Sequence, residues 1–465
     1  MASTQALHDR FGRNIIFGLQ VRLADGENPL GKLIETIAAG DGRVGQIDLI
    51  EPHSGKIDYQ IQVFVRSDQQ MEQLRSAVAA IAGVEVLAVL DLAMESHRGG
   101  ACEMRSRCAI RSNTDLRMVY TPGVARVCKA IEARPELART YTNIPNKVAI
   151  ATNGTAILGL GDIGCLAGLP VMEGKGAIFW EFVKISAEPV LIQTKDADEF
   201  INVMEKIAIG YGAIQVEDVA APECFRITRE LDKRLSIPVM HDDQHGTATV
   251  VMAGLYSALA KTGKKMGDIR CVMSGAGAAG TAIADLLMHQ GAADVVLCDR
   301  TGAIHRGRKE GMNPEKADLA ERTNKDNFKG TLADAMKGRD LFIGVSQANI
   351  VSRDMVRSMA KDPIIFALAN PVSEVSRPDA LEAGCSIYAD GRMMNNALAY
   401  PGIFRGALDM GAEVIGIEMV VAAAKKLAEL AGPNNLMPEM MDPATHQGVA
   451  QVVMNCPKRG QMLCR

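Results

Sequence analysis

The sequence predicts an α/β protein built in parts: a ferredoxin-like α+β unit, then an α/β unit carrying two acidic pairs, then a Rossmann-type dinucleotide-binding unit. Three observations predict this. Residues 14–92 alternate strand-like and helix-like runs in the order βαββαβ, that of a ferredoxin-like sandwich. From Thr114 onward apolar strand runs alternate with helical spacing, which implies a mostly parallel sheet. The strand-like run IRCVMSG leads directly into Gly275-Ala276-Gly277-Ala278-Ala279-Gly280 and a helical pattern. Such a glycine loop lets backbone N–H groups approach a pyrophosphate at a helix N-terminus.

Taken in order, NIIFGLQVRL is a strand, PLGKLIETIAAG a short helix, and RVGQIDLIE and KIDYQIQVFV two strands joined by Pro52-His53-Ser54-Gly55. Met71 to Ala82 returns to helical spacing and VEVLAVLDL closes the unit. This unit is taken as residues 1–95, and the polar, basic, glycine-bearing stretch 96–113 as a linker. The second unit, 114–245, contains KVAIATNGTAILGLGDIG, read as two strand runs split by Asn153-Gly154, then EPVLIQT and AIQVED as strands with helices between. The third, 246–420, opens with a helix from Thr247 to Lys261 and holds the strands IRCVMSG, DVVLCDR, DLFIGVS, PIIFALAN and SIYADG. Residues 421–465 are a helical tail that becomes rich in Pro and Met.

Bulk properties narrow the function. A chain of 465 residues should hold two or three domains, because single cores stop growing near roughly 250–300 residues. Net charge is −4 with no basic tract, which argues against nucleic acid and anionic membranes as partners. The start lacks an apolar signal core, and no apolar run approaches the roughly 20 residues that span a bilayer. The ten cysteines are scattered with no C-x-x-C pair, the usage of reduced thiols in a cytoplasmic protein.

Two acidic pairs close strand-like runs: Glu217-Asp218 after AIQV and Asp242-Asp243 after IPVMH. Carboxylates at the C-terminal ends of strands sit where open α/β sheets bind ligands. Glu217, Asp218 and Asp243 are hard oxygen donors with no Cys–His set nearby, which suits Mg²⁺ or Mn²⁺. A second glycine run, Gly159-x-Gly161-x-x-Gly164, competes as the cofactor loop, but CLAGLPVMEG after it does not read as a clean helix. The 275–280 loop is favoured because a helix follows and Asp299 ends the next strand, 24 residues after Gly275. Asp299 is expected to hold a ribose 2′-hydroxyl and so to favour NAD; Arg300 beside it leaves NADP open. A metal beside a nicotinamide suggests a hydroxyl substrate oxidised by hydride loss.

YTPGVA at 120–125, GLGDIG at 159–164, LPVMEGK at 169–175, VED at 216–218, HDDQHGTA at 241–248, the 275–280 loop and ALANP at 367–371 occur together in this order. On these motifs residues from about 100 to 420 resemble the malic enzymes of the shorter prokaryotic branch. The resemblance implies oxidative decarboxylation of (S)-malate to pyruvate and CO₂, with NAD and Mn²⁺ or Mg²⁺. It implies Tyr120 as the acid that protonates the enol, Lys175 as the base, and Asp242 as the group that orients Lys175. It implies Glu217, Asp218 and Asp243 as metal ligands, Asn370 at substrate and nicotinamide, and Asn396, preferred over Asn395, at substrate. The first unit resembles an ACT domain, implying edge-to-edge pairing in a homo-oligomer and a small-molecule effector. Longer malic enzymes carry an arginine where Ala156 stands, so Arg117 or the asparagines must anchor the substrate here. A malolactic enzyme that retains its NAD is one alternative, separated by net NADH appearance. A non-catalytic effector-binding nucleotide sensor is another, opposed by the complete acid, base and metal set.

Overall fold

The structure, a computed structural model, describes residues 15–24, 29–53, 55–157, 160–370, 372–460 and 463. Asn14, Ser54, Gly159 and Pro371, which figure in the motifs above, lie outside the described residues. The chain divides into two compact units, residues 1–103 and 104–465.

The first unit is an antiparallel sheet of β1 (Ile15–Ala24), β2 (Arg43–His53), β3 (Lys56–Val65) and β4 (Val84–Asp91), in the order β2-β3-β1-β4. Period-two alternation decides its faces. Leu19, Val21, Ile61 and Val63 are buried, together with Leu33 and Ile37 of helix Pro29–Ala39 and Met71, Leu74 and Val78 of helix Asp68–Ala79. Residues of the opposite parity pair as polar groups across the strands. Arg22 meets Asp58 at 2.8 Å and Gln20 donates to Gln60 at 3.2 Å. Ser67 caps the second helix by accepting from the Gln70 N–H.

The second unit contains two sheets. One is parallel throughout: β5 (Lys147–Thr152), β6 (Ser186–Leu191), β7 (Ala213–Val216) and β8 (Val239–His241), in the order β6-β5-β7-β8. The other comprises β9 (Arg270–Ser274), β10 (Asp294–Asp299), β11 (Gly302–Ala303), β12 (Leu341–Gly344), β13 (Ile364–Ala367) and β14 (Ile387–Asp390). Its order is β11-β10-β9-β12-β13-β14, parallel except for β11. That order reverses direction between β9 and β12, the topological switch point at which doubly wound sheets open a ligand crevice. Helix Thr247–Thr262 follows β8 and leads to β9. It is apolar on nearly every side, as a helix enclosed by protein must be, and Val250, Val251, Met252 and Leu255 are fully buried.

Two local expectations fail. The run after Asn153-Gly154 is not a strand: Ile157 makes only an isolated bridge with Gly161. And CLAGLPVMEG is the first half of a 19-residue helix, Cys165–Val183. Pro170 and the glycines at 168, 174 and 176 lower its intrinsic propensity. Packing overrides that deficit, because Met172 and Phe179 are fully buried and a side chain such as Phe179 contributes on the order of 2 kcal/mol. Residues past 400 form helices Tyr400–Met410, Ile417–Ala431 and Pro443–Met454. No helix among the described residues is long and apolar enough to cross a membrane.

Candidate active site

The C-terminal ends of β7 and β8 lie side by side in register, Val216 opposite His241, so the residues that follow each strand must meet. Glu217 and Asp218 continue from β7; Asp242 and Asp243 continue from β8. One oxygen each from Glu217, Asp218 and Asp243 fall within 4.8 Å of one another. Asp218 adopts a left-handed backbone, φ 50°, and its N–H donates to Asp243 Oδ2 at 3.1 Å. A non-glycine residue in that region costs free energy, and such strain concentrates at functional sites. Asp242–Gly246 forms a single π turn rather than the first α turn, another feature found mostly at functional sites.

Lys175 enters the cluster from helix Cys165–Val183. Its Nζ lies 2.7 Å from Glu217 Oε1 and donates to Asp242 Oδ2. Glu217 is 1% exposed and Asp242 is completely buried, whereas the Asp243 side chain is 35% exposed and forms the open side of the cluster. Two carboxylates, Glu217 and Asp242, therefore share one amine, with Asp218 and Asp243 grouped beside Glu217. Burial alone would pull the Lys175 amine down, but Asp242, Glu217 and Asp243 outweigh it and hold its pKa well above the usual value. Burial pushes Glu217 well above the usual carboxylate range, Lys175 opposes it, and the neighbouring acids add to it. The surplus of negative charge and the all-oxygen donor set fit a divalent cation among Glu217, Asp218 and Asp243.

Asn396 reaches the cluster from far along the chain. Its Nδ2 is 3.4 Å from Asp242 Oδ2 and 3.1 Å from Thr247 Oγ1. Asn395 instead caps the following turn, accepting from the Ala397 N–H. Tyr400, unnoticed in the sequence, stands behind the amine, with its ring centroid 4.9 Å from Lys175 Nζ and an edge-to-face contact with Phe179 at 5.0 Å. Its hydroxyl is buried and has no hydrogen-bond partner among the described residues. The one available signal was its position four residues after Asn396. Tyr120 is not gathered in. It is 67% exposed at the end of helix Asn113–Val119, and its hydroxyl has no partner among the described residues.

The 275–280 loop has the geometry its glycines demand. Gly275 has φ 112°, and a Cβ at Gly280 would stand 2.1 Å from the Gly275 carbonyl oxygen. Helix Ala278–His289 starts within this run, so the last three loop residues form its first turn, whose free N–H groups suit an anion. Asp299 ends the adjacent strand β10, but its carboxylate is already engaged. Oδ1 accepts from Arg308 Nη2 at 2.7 Å, Thr301 Oγ1 at 2.8 Å and Thr301 N at 3.0 Å. Oδ2 accepts from Lys316 Nζ at 2.7 Å. Burial opposes ionisation, yet the Lys316, Arg308 and Thr301 donors hold its pKa at about 2. Arg308 and Lys316, nine and seventeen residues past Asp299, went unnoticed in the sequence; Arg300 is exposed. Asn370 is exposed just beyond β13.

The family model for the malic enzyme N-terminal domain matches residues 101–196, and that for the malic enzyme NAD binding domain matches residues 244–394. The chain is 42% identical over 437 residues to an NAD-dependent malic enzyme of Geobacillus stearothermophilus, covering 91% of each. It is 47% identical over 350 residues to a bifunctional malic/malolactic enzyme of Bacillus subtilis, covering 74% of this chain and 85% of that one. The crystal structure of an NAD-dependent malic enzyme from Thermotoga maritima aligns with TM-score 0.76 at 38% identity, over 78% of this chain and 98% of that chain. With two strands presenting the acids, a helix presenting the amine and a Rossmann sheet beside them, the chain belongs to the malic enzyme family.

Proposed function

We propose that this enzyme oxidatively decarboxylates (S)-malate to pyruvate and CO₂ with NAD, and that Lys175 is the base. The observation that carries this is one amine held between Glu217 and Asp242, next to a three-carboxylate group fit for a divalent ion. That ion, held by Glu217, Asp218 and Asp243, would supply Lewis-acid polarisation, and NAD would accept the hydride. Lys175, once neutral, takes the C2 hydroxyl proton through Nζ. Asp242 accepts from that Nζ and aims it, and Asn396, itself bonded to Thr247, steadies Asp242. Asn370 contacts substrate and nicotinamide from the end of β13. Tyr120 returns a proton to C3 of the enol. Engagement of Asp299 by Arg308 and Lys316 leaves the ribose side of the cofactor beside two cations rather than a bare acid. A turnover assay with malate, NAD and Mn²⁺ tests the reading; lactate production without NADH release would favour the malolactic alternative.

Homo-oligomerisation belongs to the same proposal. Residues 104–143 contain no buried side chain although they form three α-helices, and they expose Leu116, Met118, Val119, Tyr120 and Tyr141. An apolar surface of that kind is suited to a subunit interface. A second copy is the occupant we infer, with Tyr120 completing a site only when that segment is covered. Mixing inactive Tyr120→Phe and Lys175→Ala chains should restore activity if the two groups act across the interface; no recovery would leave them in one chain.

The domain division is also a proposal: a regulatory ACT-like unit at 1–95, a linker at 96–113, a substrate and metal unit at 114–245, an NAD unit at 246–420 and a helical tail from 421. The strand order β2-β3-β1-β4 with both helices buried against one face supports an ACT-like unit that binds a small effector. Deleting residues 1–95 and assaying with amino acids tests it; an unchanged response to every ligand removes the effector. We propose a cytoplasmic location on the pattern of free cysteines.

A further inference from the structure

Glu374 is completely buried, and among the described residues no lysine, arginine or histidine pairs with it. A buried carboxylate without a cation is costly unless hydrogen bonds satisfy it. Here the donors are backbone groups from two different loops. Glu374 Oε1 accepts from the Ser346 N–H at 3.0 Å, in the loop after β12, and Oε2 accepts from the Ala369 N–H at 3.1 Å, in the loop after β13. Room for the carboxylate exists because residue 344 is glycine: a Cβ there would stand 2.3 Å from Glu374 Cδ. Burial raises its pKa, and the two N–H groups offset that rise only in part.

The same loops are tied to the phosphate loop on one side and to the site on the other. Ser346 Oγ is 2.8 Å from Ser274 Oγ at the end of β9, and the Val345 N–H donates to the Ser274 carbonyl at 2.9 Å. Return bonds run from Asn349 N to Ser373 O at 3.1 Å and from Val351 N to Glu374 O at 3.0 Å. Asn370 follows Ala369 directly. A continuous path thus joins the strand that carries the glycine loop, Ser346, Glu374, Ala369 and Asn370, across the switch point of the sheet.

We propose that Glu374 is a positioning residue: its carboxylate latches the loop after β12 to the loop after β13 and so fixes Asn370 at the nicotinamide end of the crevice. This rests on the reading of that crevice as the NAD site. Among the described residues no other side-chain hydrogen bond joins the two loops, and a carboxylate offers one acceptor oxygen to each N–H at once.

Glu374→Gln keeps the volume but turns an NH₂ toward one of the two N–H groups. Losing a hydrogen bond to a charged acceptor should weaken NADH binding about tenfold, with KM for NAD rising in parallel and kcat falling about tenfold. Mn²⁺ affinity should not change. A merely structural role would lower Tm and the active fraction while leaving the Kd for NADH and KM for NAD intact, and that result would overturn the proposal. If the parent enzyme itself fails to bind NADH, the reading of the crevice falls instead. Should the variant not fold, hydrogen exchange of the parent decides: slow exchange at the Ser346 and Ala369 amides is expected, and fast exchange at both contradicts the latch.

Discussion

Two charged clusters, one beyond β7 and β8 and the other at the end of β10 in the second sheet, show how the same side chains serve opposite purposes. Around Lys175, four carboxylates gather with one amine, two of them in contact with it. Around Asp299, one carboxylate is shared by a guanidinium and an amine. The first has negative charge in surplus around a Glu217 whose pKa burial raises, and it suits a metal ion. The second has positive charge in surplus and holds Asp299 at about 2. Local charge balance, and not the identity of any one residue, assigns each cluster its work.

Substitutions can break this contrast, and the largest effect is expected at the amine. Lys175→Ala should cut turnover about a thousandfold, within the range of a lost acid–base group. It should also tighten Mn²⁺ binding, since the acids lose their internal competitor; calorimetry and initial rates read both. Near-parental turnover would remove Lys175 from the chemistry. Next, Glu217→Gln should weaken Mn²⁺ more than about a hundredfold, because even groups behind the ligands are worth about 10–100-fold. Retained metal affinity would mean the three oxygens do not act together.

At the second cluster the expected loss is stability. Asp299→Asn leaves Arg308 and Lys316 facing each other, and should cost about 2 kcal/mol in urea unfolding. Because the folded pKa is depressed, the stabilisation is present above the unfolded value of about 3.9 and is lost as pH falls toward 2. An unchanged midpoint at neutral pH would show that the ion pairs are fully screened.

The smallest effect is a gain. Asp232 is buried on helix Glu223–Arg234, Oδ1 has no hydrogen-bond partner among the described residues, and burial pushes its pKa to about 6. Raised above its unfolded value, this carboxyl destabilises the fold at neutral pH, and the penalty disappears as pH falls from about 6 to about 4. Asp232→Asn should therefore add about 1 kcal/mol at pH 7.5 and nothing near pH 4. An equal gain at both values would point to some other cause.

What the sequence revealed follows the range of the interactions. Glycine spacing, paired acids and strand alternation are local patterns, so the Rossmann loop, the acid pairs and the βαββαβ unit could be read directly. Lys175 was legible only through its motif, because Pro170 and three glycines disguise its helix. Tyr400, Arg308, Lys316 and Glu374 were illegible for another reason. Each acquires meaning from a partner distant in sequence, and nothing in its own neighbourhood marks it. Asp299 shows the converse: it ends the strand after the loop, as its spacing from Gly275 predicts, but the two cations that occupy it change what it can do.

The most direct test of the account is calorimetric titration of the metal-stripped enzyme with Mn²⁺, run alongside NADH formation from malate. The expected result is one tight Mn²⁺ site per chain, lost in Glu217→Gln, and NADH formation that tracks its occupancy. Full NADH formation without the ion, or Mn²⁺ binding that survives Glu217→Gln unchanged, would contradict it.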